Sequence, residues 1–246
     1  LGGLTKIDAR AIDVAGIESL IRQTSHYGVN LLVPEPVKDF RDWAAKELLK
    51  PFGFYVKPKW GGTLSIGWLR DPNPTDISGA TTIAIADLTV DDEGQFTRLE
   101  GPVLRLDRVV KAVSWADSPA IVNGSTELTN PITTMAPDDL DSVEDYPDGQ
   151  TLEIESHGLH GQRFDNIAAV HGTPGVDVAA EVMAALFNRY GKPPAVWTVD
   201  CSWGKVAINL GDIVSVTLAN MPSVLSSTRG VTSAYLEVWQ KRLDLA

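Results

Sequence analysis

The chain has 246 residues, 43% of them apolar and 22% charged, with a formal net charge of −11 and a single cysteine. This is enough apolar material for a core and too ordinary a balance for wholesale disorder; Cys201 alone rules out an intrachain disulfide or a cysteine metal cluster, and no apolar run reaches the length of a membrane-crossing helix. With no basic cluster longer than Lys57-Pro-Lys59 or Lys241-Arg242, stable nucleic-acid binding is disfavoured, and the acidic surface fits either plain solubility or a passage wall along which DNA slides.

In chain order, Ile7, Ala9 and Ala11 alternate with polar residues and read as an entering strand. No signal-peptide pattern opens the chain, and Leu1 in place of Met reads as a fragment, a processed product or the ordered part of something longer. Val14, Ile17, Leu20 and Ile21 have helical spacing, which predicts a short amphipathic helix with its stripe in the core. Val29 to Val33 reads as a buried strand. A helix is expected over Glu35–Lys50, with Pro36 at its first position, Val37, Phe40, Ala44 and Leu48 on one stripe, and Pro51 as its stop. Phe52–Val56 and Thr63–Leu69 alternate on either side of Gly61-Gly62 and predict a hairpin. Ala80–Leu88 reads as a strand and Asp91–Gly94 as a turn. Leu104, Leu106, Val109, Val110, Val113 and Trp115 mark one or two more strands.

Ala116–Gln150 reads as mostly loop. It carries the triplet Asn123-Gly-Ser125 and the acidic run Asp138, Asp139, Asp141, Glu144, Asp145 and Asp148, which suits a solvated loop better than a calcium site. The spacing Asp71-x-Asn73-x-Thr75 lacks the glycine and glutamate of a calcium loop. Gln150–Ser156 is expected as a strand. His157, His160 and His171 follow, with Asp165 nearby, but Gly158 and Gly161 oppose the helix that would align them on a metal. A second helix is expected over Thr173–Arg189, with Val178, Val182, Ala185 and Leu186 as its stripe and Tyr190-Gly191 as its end.

The last block is the most strongly patterned. Lys205–Leu218, KVAINLGDIVSVTL, reads as strand, Gly211-Asp212 corner and strand, and Ala234–Leu245 as a further strand. A polar loop, Ala219–Thr232, lies between them. The segment looks like the wall of a small barrel with a long loop on its rim.

The order AEVMAALFNRYGKPP, AVWTVDC, VAINLGDIVSVTL, loop, TSAYLEVWQKRLDL resembles the last third of the tail hub (baseplate hub) proteins of tailed bacteriophages and related gene-transfer particles. Residues 176–246 carry the resemblance best, and a block at 33–69 with PFGFYVKPKWGGTLSIGWL carries it more loosely. The resemblance implies a β-rich α+β fold, with a β-barrel, tail-tube-like hub part and an inserted α+β part. It divides the chain into 1–33 (part of the hub barrel or an entry segment), 34–115 (inserted α+β domain), 116–160 (loop-rich connection) and 161–246 (helix plus C-terminal barrel portion). Only that last barrel portion is clear, whereas the family has two barrel-like parts per subunit. It further implies a virion protein at the tail tip: a ring, commonly a homotrimer, around the DNA channel. Its partners would be the tail tube, distal tail, tape measure and spike or fibre proteins, with host-envelope contact on the distal side.

No nucleophile elbow, phosphate-cradling glycine loop or peptidase motif is present in the sequence. Cys201 reads as a packed thiol. The expectation is a non-enzymatic protein with no cofactor and no metal. A glycan-binding or cell-wall-degrading module stays open as the alternative, because a carboxylate pair from distant strands leaves no spacing signature. Of the seven tryptophans, Trp43, Trp68, Trp115, Trp197 and Trp239 fall in helical or strand patterns and read as core, while Trp60 and Trp203 lie beside glycines at turns. Candidate interface residues are Met221, Leu225 and Arg229 of the 219–232 loop, together with Trp60 and Trp203.

Overall fold

A computed structural model describes residues 9–24, 37, 39–70, 72, 74–117, 119–122, 125–128, 132–135, 146, 148–159, 178–222 and 229–243. Among them the fold is β-rich α+β, with more strand than helix and several small sheets rather than one closed barrel. Four short α-helices are α1 (Val14–Gln23), α2 (Phe40–Ala44), α3 (Pro74–Ser78) and α4 (Val178–Tyr190). The strands are β1 (Phe54–Pro58), β2 (Leu64–Trp68), β3 (Thr81–Ala84), β4 (Leu99–Leu104), β5 (Val110–Ala116), β6 (Pro119–Val122), β7 (Ser125–Leu128), β8 (Ile132–Met135), β9 (Gln150–Glu155), β10 (Ala195–Val199), β11 (Ile213–Pro222) and β12 (Arg229–Glu237).

Two cores organise these elements. In the first, α4 lies against the sheet β8-β5-β9, in which β5 pairs antiparallel with β8 and parallel with β9. Val178, Val182, Leu186 and Phe187 recur at helical spacing and are buried with Val113, Trp115, Ile154 and Leu159. Trp115 is fully buried, and its indole N–H donates to the equally buried Asp117 carboxylate at 3.5 Å. In the second core, β11 is the middle strand of β12-β11-β3, antiparallel to β12 and parallel to β3. Val214, Val216 and Leu218 alternate inward and meet Ile83, Leu88, Met221 and Val231. The ribbon β4-β10 flanks this core with Leu99, Trp197 and Val199. Two parallel pairings, β5-β9 and β3-β11, join strands that are distant in sequence. The 34–115 segment therefore supplies β3 and β4 to the same sheets as the C-terminal block.

Several local expectations are corrected. Lys205–Leu210 is not a strand: Trp203–Lys205 forms a 3-10 turn, and Val206 N and Ile208 N donate to Trp203 O and Lys205 O. The Asp212 carboxylate accepts from the Asn209 backbone and side-chain N–H groups at 2.8 and 3.2 Å, so local polar bonds replace a ladder. Both ends of the loop expected over Ala219–Thr232 are strand, because β11 runs to Pro222 and β12 starts at Arg229; β12 also stops at Glu237 rather than running to Leu245. The helix expected from Glu35 starts after Asp39, whose carboxylate accepts from Arg41 N and Asp42 N, and it passes into a π-helical turn, Ala45–Leu49, before Pro51. Glu47 in that turn accepts from Ser156 Oγ at 2.7 Å and Gly158 N at 2.9 Å, which ties the turn to the end of β9. Ala80–Leu88 is a four-residue strand followed by a 3-10 turn over Ile85–Asp87. Within the 116–150 stretch, expected as mostly loop, stand the three four-residue strands β6, β7 and β8. In place of an entering strand, Ala9–Ala11 is a 3-10 turn and Ile12 bridges Leu64. The α1 stripe is not core, with Val14 54% and Ile21 60% exposed, and Phe40 of the α2 stripe is also exposed. The strand expected at Val29–Val33 lies outside the described residues.

The hairpin β1-β2, the Asp91 turn, β5, β9, β10 and α4 stand where the patterns placed them, with α4 described from Val178. Truncating Leu186→Ala in the α4 core should cost about 2–5 kcal/mol, whereas Val14→Ala on the exposed face of α1 should stay within about 0.5 kcal/mol. Urea unfolding of the two variants measures the difference, and equal losses would contradict this burial pattern.

Candidate functional site

The residues singled out in the sequence fall at separate places. Trp60 sits at the tip of the β1-β2 hairpin, half exposed; its backbone N–H donates to Asn209 Oδ1, and Lys241 Nζ lies 5.0 Å from its ring centre. Trp203, 59% exposed, opens the 3-10 turn after β10. Both border the 203–212 segment, which Lys241 also grips by donating to the carbonyls of Val206 and Ile208. Met221 is buried in the second core, and Arg229 is exposed at the start of β12, opposite Pro222. Leu225 lies outside the described residues, as do Asn123, the acidic run from Asp138 to Asp145, His160, Asp165 and His171. His157 is exposed, and no group of three metal-ligating side chains occurs among the described residues. Burial pushes the Cys201 thiol up, as suits its place at the edge of the second core. Trp239, expected as core, is 42% exposed, with its ring 6.1 Å from that of Tyr190.

Among the described residues a polar cleft of about 470 Å³ opens where α1, the β1-β2 hairpin, the α3 loop, the end of α4 and the β11-β12 corner converge. That volume is within the range of small-molecule sites. Its walls carry four carboxylates and four cations in matched pairs. Lys59 Nζ lies 2.8 Å from Asp13 Oδ2, Arg70 Nη1 2.7 Å from Asp76 Oδ2, and Lys57 Nζ 3.7 Å from Asp212 Oδ1. Arg189 pairs with Glu237, which also accepts from Tyr55 Oη at 3.3 Å. Asp13 caps α1 through Gly16 N and accepts from the Ser65 hydroxyl at 2.9 Å. The Lys59 ammonium bonded to Asp13 is the main reason its carboxyl sits below the usual range; burial opposes this, and Ser65 and Gly16 assist it. Burial pushes the Tyr55 phenol up, so it stays a neutral hydrogen-bond donor.

Tyr55 lines the cleft. It faces Gly67 across the hairpin and reaches Gly211 at the β11 corner. A methyl group on Gly67 would stand 2.3 Å from the Tyr55 ring, and one on Gly211 would stand 2.3 Å from its hydroxyl oxygen. Gly211 has φ +75°, which a side chain disfavours in any case.

Chemically, a carboxylate held below its normal pKa is a poor proton donor near neutral pH, and glycoside cleavage needs one carboxyl held up. Asp13, Asp76, Asp212 and Glu237 each face a cation, so the cleft acts as a charged joint between elements. Nothing in the sequence flagged it, since its pairs span positions 13 to 237; the only local hints were Gly67 opposite an aromatic and the Gly211-Asp212 corner. No family model matches the chain, and no curated protein matches it.

Two outcomes follow from this joint. Gly211→Ala should destabilise by about 2 kcal/mol or more, and in the Tyr55→Phe background the loss should be smaller by at least about 0.5 kcal/mol, measured as a double-mutant cycle in urea. The folded Asp13 carboxyl titrates below its unfolded value of about 3.9, so its stabilisation is full above that pH and is lost as pH falls through the folded value. Asp13→Asn should therefore flatten the acid limb of the stability–pH curve below about pH 4, and an unchanged limb would contradict this assignment.

Proposed function

We propose that the chain is a structural protein of a tail tip, in a bacteriophage virion or a related gene-transfer particle. It forms a hub ring, a homotrimer, that joins the tail tube to the distal spike or fibre proteins and surrounds the DNA channel. The observation that supports this best is the C-terminal block: α4, β10, the Gly211-Asp212 corner, and the paired β11 and β12 follow one another in the order that carries the resemblance. The sheet β12-β11-β3 is open among the described residues, so a barrel-like collar would close between copies rather than within one. The acidic balance suits a wall that does not hold DNA. Exposed Trp60, Trp203 and Arg229 are available at its surface as contacts with the tail tube, distal tail, tape measure, spike or envelope partners.

The second reading, a glycan-binding or cell-wall-degrading tail module, rests on the polar cleft. Each of its carboxylates faces a cation, and Lys59 holds the Asp13 carboxyl below the usual range, which suits accepting hydroxyl hydrogen bonds better than protonating a leaving group.

Light scattering coupled to a sizing column, run over a range of concentrations, should give the mass of a trimer, and images of the particle should show a threefold ring with a central channel. A monomer at every concentration would overturn the hub reading. Clearing of a cell-wall suspension that Asp13→Asn or Glu237→Gln abolishes would favour the second.

A further inference from the structure

The β1-β2 hairpin is amphipathic with its faces reversed. Residues two apart on a strand share a face, and across this ribbon Tyr55 stands opposite Gly67 and Lys57 opposite Ser65. That face carries the polar side chains, and it is the covered one: Ser65 is 3% exposed and the Lys57 side chain 17%. On the other face Phe54 packs against the first core at the base of the hairpin, but Val56, 55% exposed, and Leu64 stand in water. Covering polar groups while apolar ones stay wet is unfavourable on both counts, so hydrophobic packing does not account for the orientation. The reversal places Tyr55, Lys57, Lys59 and Ser65 in the wall of the polar cleft. Local rules are broken in this way where a site requires it.

The cleft is also balanced in charge, since Asp13, Asp76, Asp212 and Glu237 each face a cation. An entering anion is drawn to the cations and repelled by the carboxylates beside them, and an entering cation meets the converse. A hydroxyl has no such conflict: one atom donates to a carboxylate and accepts from an ammonium, which no single atom of an amide does. One pair is spaced for it. Lys57 Nζ lies 3.7 Å from Asp212 Oδ1, beyond direct hydrogen-bond reach, so an oxygen seated beside both can bridge them. Asp212 accepts from Asn209 through its other oxygen, Oδ2, and turns Oδ1 to Lys57. Tyr55 shares the Lys57 face, and its hydroxyl donates to Glu237 while its oxygen can still accept. A sugar ring carries several hydroxyls on a rigid frame, so it can satisfy such a wall with little ordering cost.

We infer, on the second reading of the cleft as a glycan site, that it binds a neutral saccharide, one hydroxyl of which bridges Lys57 and Asp212. Binding of this kind is independent of ring assembly.

Isothermal titration calorimetry of the whole chain tests it, with maltose, cellobiose and diacetylchitobiose as neutral probes and digalacturonate and deacetylated chitobiose as acidic and basic ones. The expected result is binding of a neutral disaccharide, with both charged probes weaker. Lys57→Met, which keeps the stem and removes the ammonium, should weaken that binding at least about tenfold. Tyr55→Phe should weaken it in the same direction, and Val56→Ala on the opposite face should change it less than about twofold. Thermal melts establish that each variant folds, and the parent chain's choice between neutral and charged probes needs no variant. A charged probe bound as tightly as the neutral ones, or a folded Lys57→Met chain that binds undiminished, would overturn the inference and leave the cleft a glycan site. No binding of any probe would overturn the inference and the glycan reading together.

Discussion

The arrangement depends on one close approach, that of the Tyr55 ring to two backbones that carry no side chain. Gly67 lets the ring lie flat across the hairpin, and Gly211 lets the hydroxyl reach the corner from which β11 starts. The hydroxyl then donates to Glu237 at the end of β12, and Glu237 binds Arg189 in the last turn of α4. A single aromatic residue therefore links the hairpin, the central strand pair and the helix of the other core. Close packing makes this a constraint and not merely a contact, because one methylene added on either glycine has nowhere to go.

Around that wedge the chain places charge where apolar packing would be expected. The pairs in the cleft are partly exposed, so each contributes modestly to stability; an exposed ion pair is commonly worth no more than about 1 kcal/mol. Their greater effect is on geometry. Asp13 orients α1 on the hairpin, Asp212 holds the 206–212 turn, and Arg70 and Asp76 hold the α3 loop. A joint built of matched charges can be wet without being loose.

The same economy is visible at the surface. Among the described residues, both edges of β12-β11-β3 end without a further strand, and the β4-β10 ribbon has two strands, fewer than usually stand alone in water. Val103 on the ribbon and Leu106 just past it are exposed. Assembly with other copies is a physical answer to such edges, and it is compatible with a subunit whose sheets continue from one chain to the next.

Periodic segments were legible in the sequence because their pattern and their environment are local: Val178, Val182 and Leu186 on α4, Val214, Val216 and Leu218 on β11, and the Gly61-Gly62 hairpin. Those determined the helix, the strands and a β-rich α+β class. The apolar spacing of Val14 and Ile21, however, says only that a helix would be amphipathic, not that anything covers its stripe, and both remain exposed. Lys205–Leu210 alternates like a strand, yet Asp212 and Asn209 satisfy its backbone locally before a ladder can form. The pairings of β3 with β11 and β5 with β9 and the charged cleft from Asp13 to Glu237 were decided by tertiary structure alone. They join residues far apart in the chain, and periodicity carries no information about which distant partner will satisfy a charge or an edge.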